Sequence, residues 1–316
     1  MAETPYTLRL GTRASPLALA QAEEMAARLT HVSNGAVDCR IVKFTTSGDK
    51  LTTERLINAG GKGLFTKELD RALADSEIDF AVHSLKDVPA VLPDGQTFIC
   101  IPERSDAREG WLSATAETLA DLPSGGVVGT ASLRREAQTL RARPDINVST
   151  FRGNVQTRLA KLERGEADAT YLAMAGLTRL GNAGLAKPIP LDEMLPAPAQ
   201  GIIGCTACAG SLPQAVLDAF KKIEHHETRQ AAIAERAVLK ALDGSCRTPI
   251  AAHLFRRDDQ LNLVCEVIRP DGGETWRAQG GTDLDADDEL LKQLGEDVGQ
   301  TIRDAAGGNL PAFSDD

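Results

Sequence analysis

Basic side chains recur in this sequence where a predicted strand turns into a predicted helix. Residues 129–135 read GTASLRR and residues 151–158 read FRGNVQTR, and Arg13 and Lys86 lie in similar settings. Backbone N–H groups at a helix start already favour anions, and a guanidinium binds a carboxylate through two parallel hydrogen bonds. The pattern therefore predicts a ligand that carries many carboxylates.

Three of these arginines are placed against a helix dipole. Arg134 and Arg135 are predicted to lie in a first helical turn, and Arg152 precedes another helix start. Cations are unfavourable at this end of a helix, so they need a nearby anion. The alternative is a solvated helix face, and the placement favours binding over it.

Asp87 follows a short apolar strand at residues 78–82 and lies beside Lys86 and near Ser84. An aspartate before Val-Pro commonly forms a turn. At the mouth of a ligand cleft, the same carboxylate could move a proton or stabilise a developing cation. Both interpretations stand on the sequence alone.

The cysteines offer further chemistry. Cys246 lies in a polar loop, residues 243–249, and is either a small loop residue or a reactive thiol whose thiolate Arg247 favours. The CTAC motif at 205–208 invites a redox or zinc interpretation, but one CxxC in an apolar strand is a weak signal. The two histidines at 225–226 are assigned to a helix lead-in.

Alternating strands and helices must position these side chains. The predicted strands are residues 6–10, 38–44, 78–82, 126–129, 147–151 and 169–173. The predicted helices are residues 16–29, 60–73, a helix from residue 132, residues 154–165 and residues 176–180. This alternation predicts mostly parallel sheets with helices on their faces, in which ligands bind beyond the carboxyl ends of the strands.

The chain is predicted to divide into three domains. Two α/β units are joined near residues 102–109, and residues 201–208 are predicted to cross back into the first sheet. A long alanine-rich helix at 227–242, three strand-like runs and a final helix at 285–305 predict an α+β module. The predicted domains are residues 1–102 with 200–220, residues 103–199 and residues 221–316.

Composition excludes several classes of partner. The chain has 316 residues, a formal net charge of −10, and only 8 Phe, 2 Trp and 2 Tyr, which opposes nucleic acid binding. The N-terminus lacks a signal-peptide pattern, and no apolar run approaches the ~20 residues of a membrane span. The six scattered cysteines are expected to be reduced thiols, so we expect a protein of the cytoplasm. We also expect a monomer.

Six motifs occur together in one order. They are TRASPLA at 12–18, GGKGLF at 60–65, HSLKDVP at 83–89, GTASLRR at 129–135, RGNV at 152–155 and GSCRTP at 244–249. In order and spacing they closely resemble the porphobilinogen deaminase family, also called hydroxymethylbilane synthases. The resemblance runs from about residue 8 to the last helix.

The resemblance implies an α/β fold with two periplasmic-binding-protein-like domains around a cleft, plus a C-terminal α+β domain with a three-stranded antiparallel sheet. It implies an enzyme that condenses four porphobilinogen molecules head to tail into hydroxymethylbilane, with release of ammonia. It also implies a dipyrromethane cofactor attached through a thioether to Cys246. Every pyrrole unit carries an acetate and a propionate, which gives the arginine excess a cause.

By the same resemblance, Asp87 would be the catalytic carboxylate that assists ammonia loss, stabilises the cationic azafulvene and accepts a proton as aromaticity returns. The residues implied to bind the cofactor are Cys246, Lys86, Ser132, Arg134, Arg135 and Arg158. The residues implied to bind the substrate are Arg13, Ser15, Lys62, Ser84, Arg152, Arg179 and Gln200. The resemblance implies no metal.

The chain departs from the family pattern at four places. Ala131 stands where a second serine is expected, and Ala199 where glycine is expected. Asn58 occupies a position that is basic in some relatives, and the stretch at 205–208 lacks an expected Glu-Cys pair. Each departure adjusts a contact or the packing, and none removes the motifs.

Two other classes of protein compete with this interpretation. A non-catalytic two-lobed anion-binding protein would share the two lobes, but the missing export signal and the cysteine loop count against it. A thiol enzyme that uses Cys246 as a transient nucleophile predicts an unmodified resting protein and a general base close to the sulfur.

Overall fold

Three β-sheets, each with its own helices, make up the described part of the chain. The computed structural model describes residues 6–50, 63–242 and 249–311. Two of the sheets have five strands and the third has three. None of the helices in the described part of the chain combines the length and the apolar character that a membrane span requires.

The first sheet has the strand order β2-β1-β3-β10-β4. Its strands are β1 (Tyr6–Arg13), β2 (Val37–Phe44), β3 (Phe80–Ser84), β4 (Gln96–Cys100) and β10 (Ile203–Cys208). Its helices are α1 (Pro16–Val32), α2 (Ser47–Lys50), α3 (Lys67–Ala74) and α7 (Gln214–Lys221). Only β10 runs antiparallel to its neighbours, and its place in this sheet confirms the predicted return of residues 201–208.

The second sheet has the order β7-β6-β8-β5-β9, in which the fourth place is taken by the first strand of the sheet in the chain, whereas in the first sheet it is taken by the last. Its strands are β5 (Glu109–Ser113), β6 (Val127–Gly129), β7 (Asn147–Ser149), β8 (Ala169–Ala173) and β9 (Lys187–Pro188). Its helices are α4 (Leu133–Ala142), α5 (Val155–Glu163) and α6 (Met174–Arg179). Here β5 is the antiparallel strand.

In both sheets the antiparallel strand is the first one that the chain forms after crossing from the other sheet. An antiparallel strand begins at the edge where its parallel neighbours end. The first crossover, residues 101–108, and the second crossover, residues 189–202, therefore deliver their residues directly to the carboxyl ends of the parallel strands, where the sequence predicts the ligand cleft.

The third module is an antiparallel sheet of three strands covered by two helices. Its elements are α8 (His226–Ala241), β11 (Ile250–Arg257), β12 (Gln260–Ile268), β13 (Thr275–Asp283) and α9 (Asp288–Ala306). The apolar core under this sheet extends into the first unit through Leu85, Val88 and Ile202. The third module is thus packed against the segment that carries Asp87.

The α/β fold class with a three-stranded antiparallel module is confirmed. The sequence patterns do not predict β4 or β5, because each has only five residues and β5 begins with a charged residue. The helix expected from residue 60 begins instead at Lys67, because Gly63 has a left-handed φ of +82° that no helix accommodates. The sheets do not set domain limits, so the residue bounds of the three domains stay predictions.

Candidate active site

The carboxyl end of β3 leads into a short 3-10 turn, Leu85–Asp87, which we call the Asp87 turn. Leu85 and Val88 are buried in the core shared with the third module, at 1% and 4% exposure. Side chains three residues apart in such a turn lie on the same side. Asp87 therefore faces away from that core, and its Oδ2 lies 3.6 Å from Arg13 Nη1.

Arg13, the last residue of β1, lies between two carboxylates. Besides facing Asp87, its guanidinium is hydrogen-bonded to Asp49, with an Nε to Oδ2 distance of 3.3 Å, and lies 4.3 Å from the centroid of the Phe65 ring. Burial tends to raise the pKa of Asp49, but hydrogen bonds from Arg13 and Thr46 lower it below its usual value. These contacts fix a cation beside Asp87.

Lys86 is tied to the second crossover by Gln200. Its Nζ donates to Gln200 Oε1 at 3.0 Å, and Gln200 Nε2 donates to the Ala107 carbonyl of the first crossover at 2.9 Å. Gln200 is completely buried. Burial and the nearby Arg135 lower the pKa of Lys86 to about 8.

Glu109, the first residue of β5, is a completely buried carboxylate between two arginines. Its Oε1 accepts a hydrogen bond from Arg134 Nη2, and its Oε2 accepts one from Arg135 Nη2 at 2.6 Å. Arg134 also donates to the Leu195 carbonyl, and Arg135 donates to the Tyr171 carbonyl, both at 2.9 Å. The first turn of α4 is thereby joined to two neighbouring segments.

The protein itself supplies an anion for these two arginines. Burial would raise the pKa of Glu109, but Arg135 and Arg134 lower it well below its usual value. One donor is left over: Arg135 Nε is buried and has no hydrogen-bond partner among the described residues. That Arg134 and Arg135 also bind ligand carboxylates stays a prediction.

Further cations surround Arg135. Ser132 caps α4 by accepting the Arg135 backbone N–H at 3.4 Å, and Arg158 Nε donates to the Gly153 carbonyl at 2.9 Å. Burial, Arg135 and Arg152 together lower the pKa of Arg158 to about 10. We call Lys86, Arg135, Arg152 and Arg158 the basic cluster. Such a group of close positive charges favours a ligand with several negative charges.

Three further predicted contact residues, at the end of β3, the start of α1 and the end of α6, have partners within the protein. Arg179 Nε donates to Glu24 Oε2 at 3.1 Å, and Ser84 Oγ lies 2.9 Å from Gln21 Nε2. Ser15 caps α1 through a 3.3 Å hydrogen bond from a backbone N–H. Because Glu24 and Gln21 both lie on α1, this helix connects the two sheets at the cleft.

Four residues singled out in the sequence lie outside the described residues. They are Asn58, Lys62, Cys246 and Arg247.

A buried carboxylate on α8 joins both crossovers to the third module. Glu235 accepts hydrogen bonds from Arg104 Nη1 at 2.7 Å, Ala199 N at 2.6 Å and Leu254 N at 2.8 Å. Burial would raise its pKa, but Arg104 lowers the pKa of Glu235 to about 2. Ala199 has a left-handed φ of +60°, a conformation that glycine adopts without strain. The replacement of the expected glycine by Ala199 therefore lies in the second crossover, where the backbone N–H of this residue donates to Glu235.

Sequence analysis does not identify Glu109 or Glu235 as site residues. The sequence does indicate that Glu235 is buried, because it lies four residues after Ala231 and three before Val238, within the apolar stripe of α8. No neighbouring residue in the sequence indicates that Glu109 is a buried ion-pair partner. Its arginine partners are 25 and 26 residues away along the chain.

The CTAC motif divides between the two faces of the first sheet. Cys205 is buried in one apolar core, and Cys208 packs against another. Residues three apart on a strand point to opposite faces, so the two sulfurs do not converge. Both thiols are free.

Comparisons with known proteins agree along the chain. The family model described as porphobilinogen deaminase, dipyromethane cofactor binding domain, matches residues 8–212, and the model of the porphobilinogen deaminase C-terminal domain matches residues 229–304. The chain is 45% identical to the chloroplastic porphobilinogen deaminase of Oryza sativa subsp. japonica, over 98% of this chain and 86% of that protein. It is 44% identical to the porphobilinogen deaminase of Caulobacter vibrioides, over 96% of each.

Among solved structures, a TRAP periplasmic solute binding protein from Desulfovibrio salexigens is similar with a TM-score of 0.43. That similarity covers 72% of this chain and 74% of that protein, at 11% sequence identity. A likeness this distant has no bearing on function.

Proposed function

The chain belongs to the porphobilinogen deaminase family, and we propose that Asp87 is the carboxylate that assists this family's reaction here. The position of Asp87 carries the proposal. Its carboxylate lies on the open side of the Asp87 turn, 3.6 Å from Arg13 Nη1 and next to Lys86.

The enzyme is a transferase of tetrapyrrole biosynthesis. It condenses four porphobilinogen molecules head to tail into hydroxymethylbilane and releases ammonia, on a dipyrromethane primer. A non-catalytic two-lobed binding protein is not favoured, because both enzyme family models match the chain.

The basic cluster suits the acetate and propionate groups of dipyrromethane. Its cations lie close together, and Arg135 Nε is a buried donor without a partner among the described residues. We propose that the cofactor is held by Lys86, Ser132, Arg134, Arg135 and Arg158 and is bound through a thioether to Cys246. When bound, dipyrromethane supplies the pyrrole carbon to which the first porphobilinogen unit is joined.

Asp87 is proposed to act at two points. As ammonia leaves the aminomethyl group of porphobilinogen, positive charge develops on the pyrrole, and a nearby carboxylate stabilises it. After the new carbon–carbon bond forms, the ring carbon loses a proton, which Asp87 accepts. Arg13 would hold a carboxylate of the arriving unit close to Asp87.

We propose that the remaining predicted contacts hold substrate carboxylates on either side of Asp87. They are Arg13, Ser15, Lys62, Ser84, Arg152, Arg179 and Gln200. In the described residues, Gln200 is completely buried, with its amide oxygen bound to Lys86 and its amide nitrogen bound to a carbonyl. Its part in this set is therefore to hold Lys86 in place.

We also propose a cytoplasmic monomer that binds neither nucleic acid nor membrane. The thiols of Cys100 and Cys205 lie side by side on paired strands and are free, which fits a reducing compartment. The net charge of −10 opposes binding to nucleic acid.

The covalent cofactor is tested by the intact mass of the denatured protein. We expect the parent to carry an added mass equal to two porphobilinogens less two ammonias, and Cys246→Ala to lack it. Cys208→Ala, which removes a partly exposed thiol elsewhere in the chain, is expected to keep it. An unmodified parent that gains no mass on incubation with porphobilinogen would contradict the proposal and favour a binding protein. The thiol-enzyme alternative also predicts an unmodified resting protein.

Removing the charge of Arg152 is expected to stall elongation. A hydrogen bond to a charged group contributes about 1.5–3 kcal/mol, so Arg152→Leu should slow overall turnover roughly 10- to 100-fold. The measurement is native mass spectrometry, in which complexes carrying one to three added units should accumulate. Arg164→Leu, which removes an exposed arginine paired with Glu166, is the control. Uninterrupted product formation by Arg152→Leu would show that this contact is dispensable.

A further inference from the structure

Helix α8 of the third module places a buried guanidinium directly behind the Asp87 turn. Arg236 donates hydrogen bonds to the carbonyls of Val88, Pro89 and Ala90, at 3.2, 2.6 and 3.0 Å. These are the three residues that follow Asp87 in the chain. The guanidinium carbon also lies 4.8 Å from the centroid of the Phe98 ring on β4, and Arg236 is only 8% exposed.

This cation forms no salt bridge with any carboxylate among the described residues. Burial lowers the pKa of Arg236 to about 10. Burying a guanidinium is unfavourable unless its donors are satisfied, and here carbonyls and an aromatic ring satisfy them. An apolar side chain of similar length would pack at this place without that cost. The arginine is therefore suited to holding the three carbonyls rather than to filling space.

The segment that receives these hydrogen bonds depends on them. Residues 88–90 form neither helix nor strand, so their carbonyls are not taken up by a regular backbone ladder. Pro89 further restricts Val88 to an extended conformation, with φ −85° and ψ 129°. On the apolar side, Leu85 and Val88 anchor the same turn in the core shared with α8. The turn is thus held at both ends, by packing and by one cation.

We propose that Arg236 is a positioning residue for Asp87, fixing the carboxylate at the distance from Arg13 and the substrate that the reaction requires. The proposal rests on the proposed role of Asp87. It also connects the Asp87 turn with the proposed site of cofactor attachment, because α8 ends at Ala241, five residues before Cys246. One helix therefore holds the Asp87 turn and leads into the cofactor loop.

The test compares turnover per molecule that carries dipyrromethane, as counted by intact mass. Arg236→Met is expected to keep KM within about twofold and to lower kcat per loaded molecule at least about tenfold, because small displacements of a reacting group are costly. Arg236→Lys keeps the charge but replaces the planar fork by one ammonium, so an intermediate kcat is expected. Arg229→Met on the same helix removes a partly exposed arginine paired with Glu224 and Asp288 and should leave kcat unchanged.

A merely structural role would lower the melting temperature and the loaded fraction but leave kcat per loaded molecule at the parent value. That outcome in either Arg236 variant overturns the proposal. If Arg236→Met does not fold, Arg236→Lys decides, since a parental kcat there has the same meaning. Should Asp87→Asn retain full turnover, the proposed role of Asp87 fails instead, whatever the Arg236 variants do.

Discussion

Asp87→Asn is expected to fold, to carry dipyrromethane and to turn over at least about 100-fold more slowly than the parent, since general acid–base groups typically contribute 10²- to 10⁴-fold. Asparagine has nearly the shape of aspartate but no charge and no basic oxygen. It can neither stabilise the cation that forms on ammonia loss nor accept the proton released when aromaticity returns. The Asp87 side chain is partly exposed, and its ion pair is with Arg13 at 3.6 Å, so the fold does not depend on it.

The measurement is the rate of ammonia release and of hydroxymethylbilane formation under saturating porphobilinogen. Intact mass checks that the variant is loaded, and thermal unfolding checks that it is folded. Asp94→Asn, an exposed aspartate seven residues further along the chain, is the matched control and should behave as the parent. Near-parental turnover of Asp87→Asn would remove this carboxylate from the mechanism.

Glu109→Gln is expected to destabilise the protein by about 3–5 kcal/mol, as removal of one partner from a buried ion pair commonly does. The glutamine amide offers one acceptor oxygen and turns its NH₂ group toward an arginine. Arg134 and Arg135 would then share a buried space with no carboxylate between them. Because Arg135 is also proposed to hold the cofactor, the fraction of loaded protein should fall as well.

Urea unfolding followed by tryptophan fluorescence measures this effect. Trp111 lies on β5 two residues after Glu109, and Trp276 reports on the third sheet. Glu166→Gln, which removes an exposed carboxylate paired with Arg164, is the control and should change stability little. A Glu109→Gln variant as stable as the parent would show that the two arginines find another anion.

The same pair predicts the direction of a pH effect. The pKa of Glu109 is lowered in the folded protein, so the stability it contributes is present above the unfolded-state pKa and is lost as the pH falls through the folded value. The unfolded-state pKa of glutamate is about 4.3, so the stability difference between parent and Glu109→Gln should persist down to about pH 5 and shrink only in stronger acid.

The sequence predicts the positions of most helices and strands correctly. The predicted helix starts at residues 16, 132 and 154 lie within one residue of the starts of α1, α4 and α5, where Ser15, Ser132 and Asn154 are the N-caps, because capping acts between neighbours in the chain. It fails at β4 and β5, where five-residue strands depend on their partners in the sheet rather than on their own pattern. The start of α3 was misplaced for a local reason, the left-handed Gly63.

For the site, the sequence by itself determined which charged side chains are present, namely arginines at helix starts and Asp87 after a strand. It also supplied the motifs that place the chain in its family. The tertiary structure decided which anion each cation meets. Arg134 and Arg135 share Glu109 across 25 and 26 residues, and Arg236 reaches back 148, 147 and 146 residues to three carbonyls beside Asp87. Such contacts have no local signal, because they arise only when the crossovers bring the ends of strands from different units to one edge.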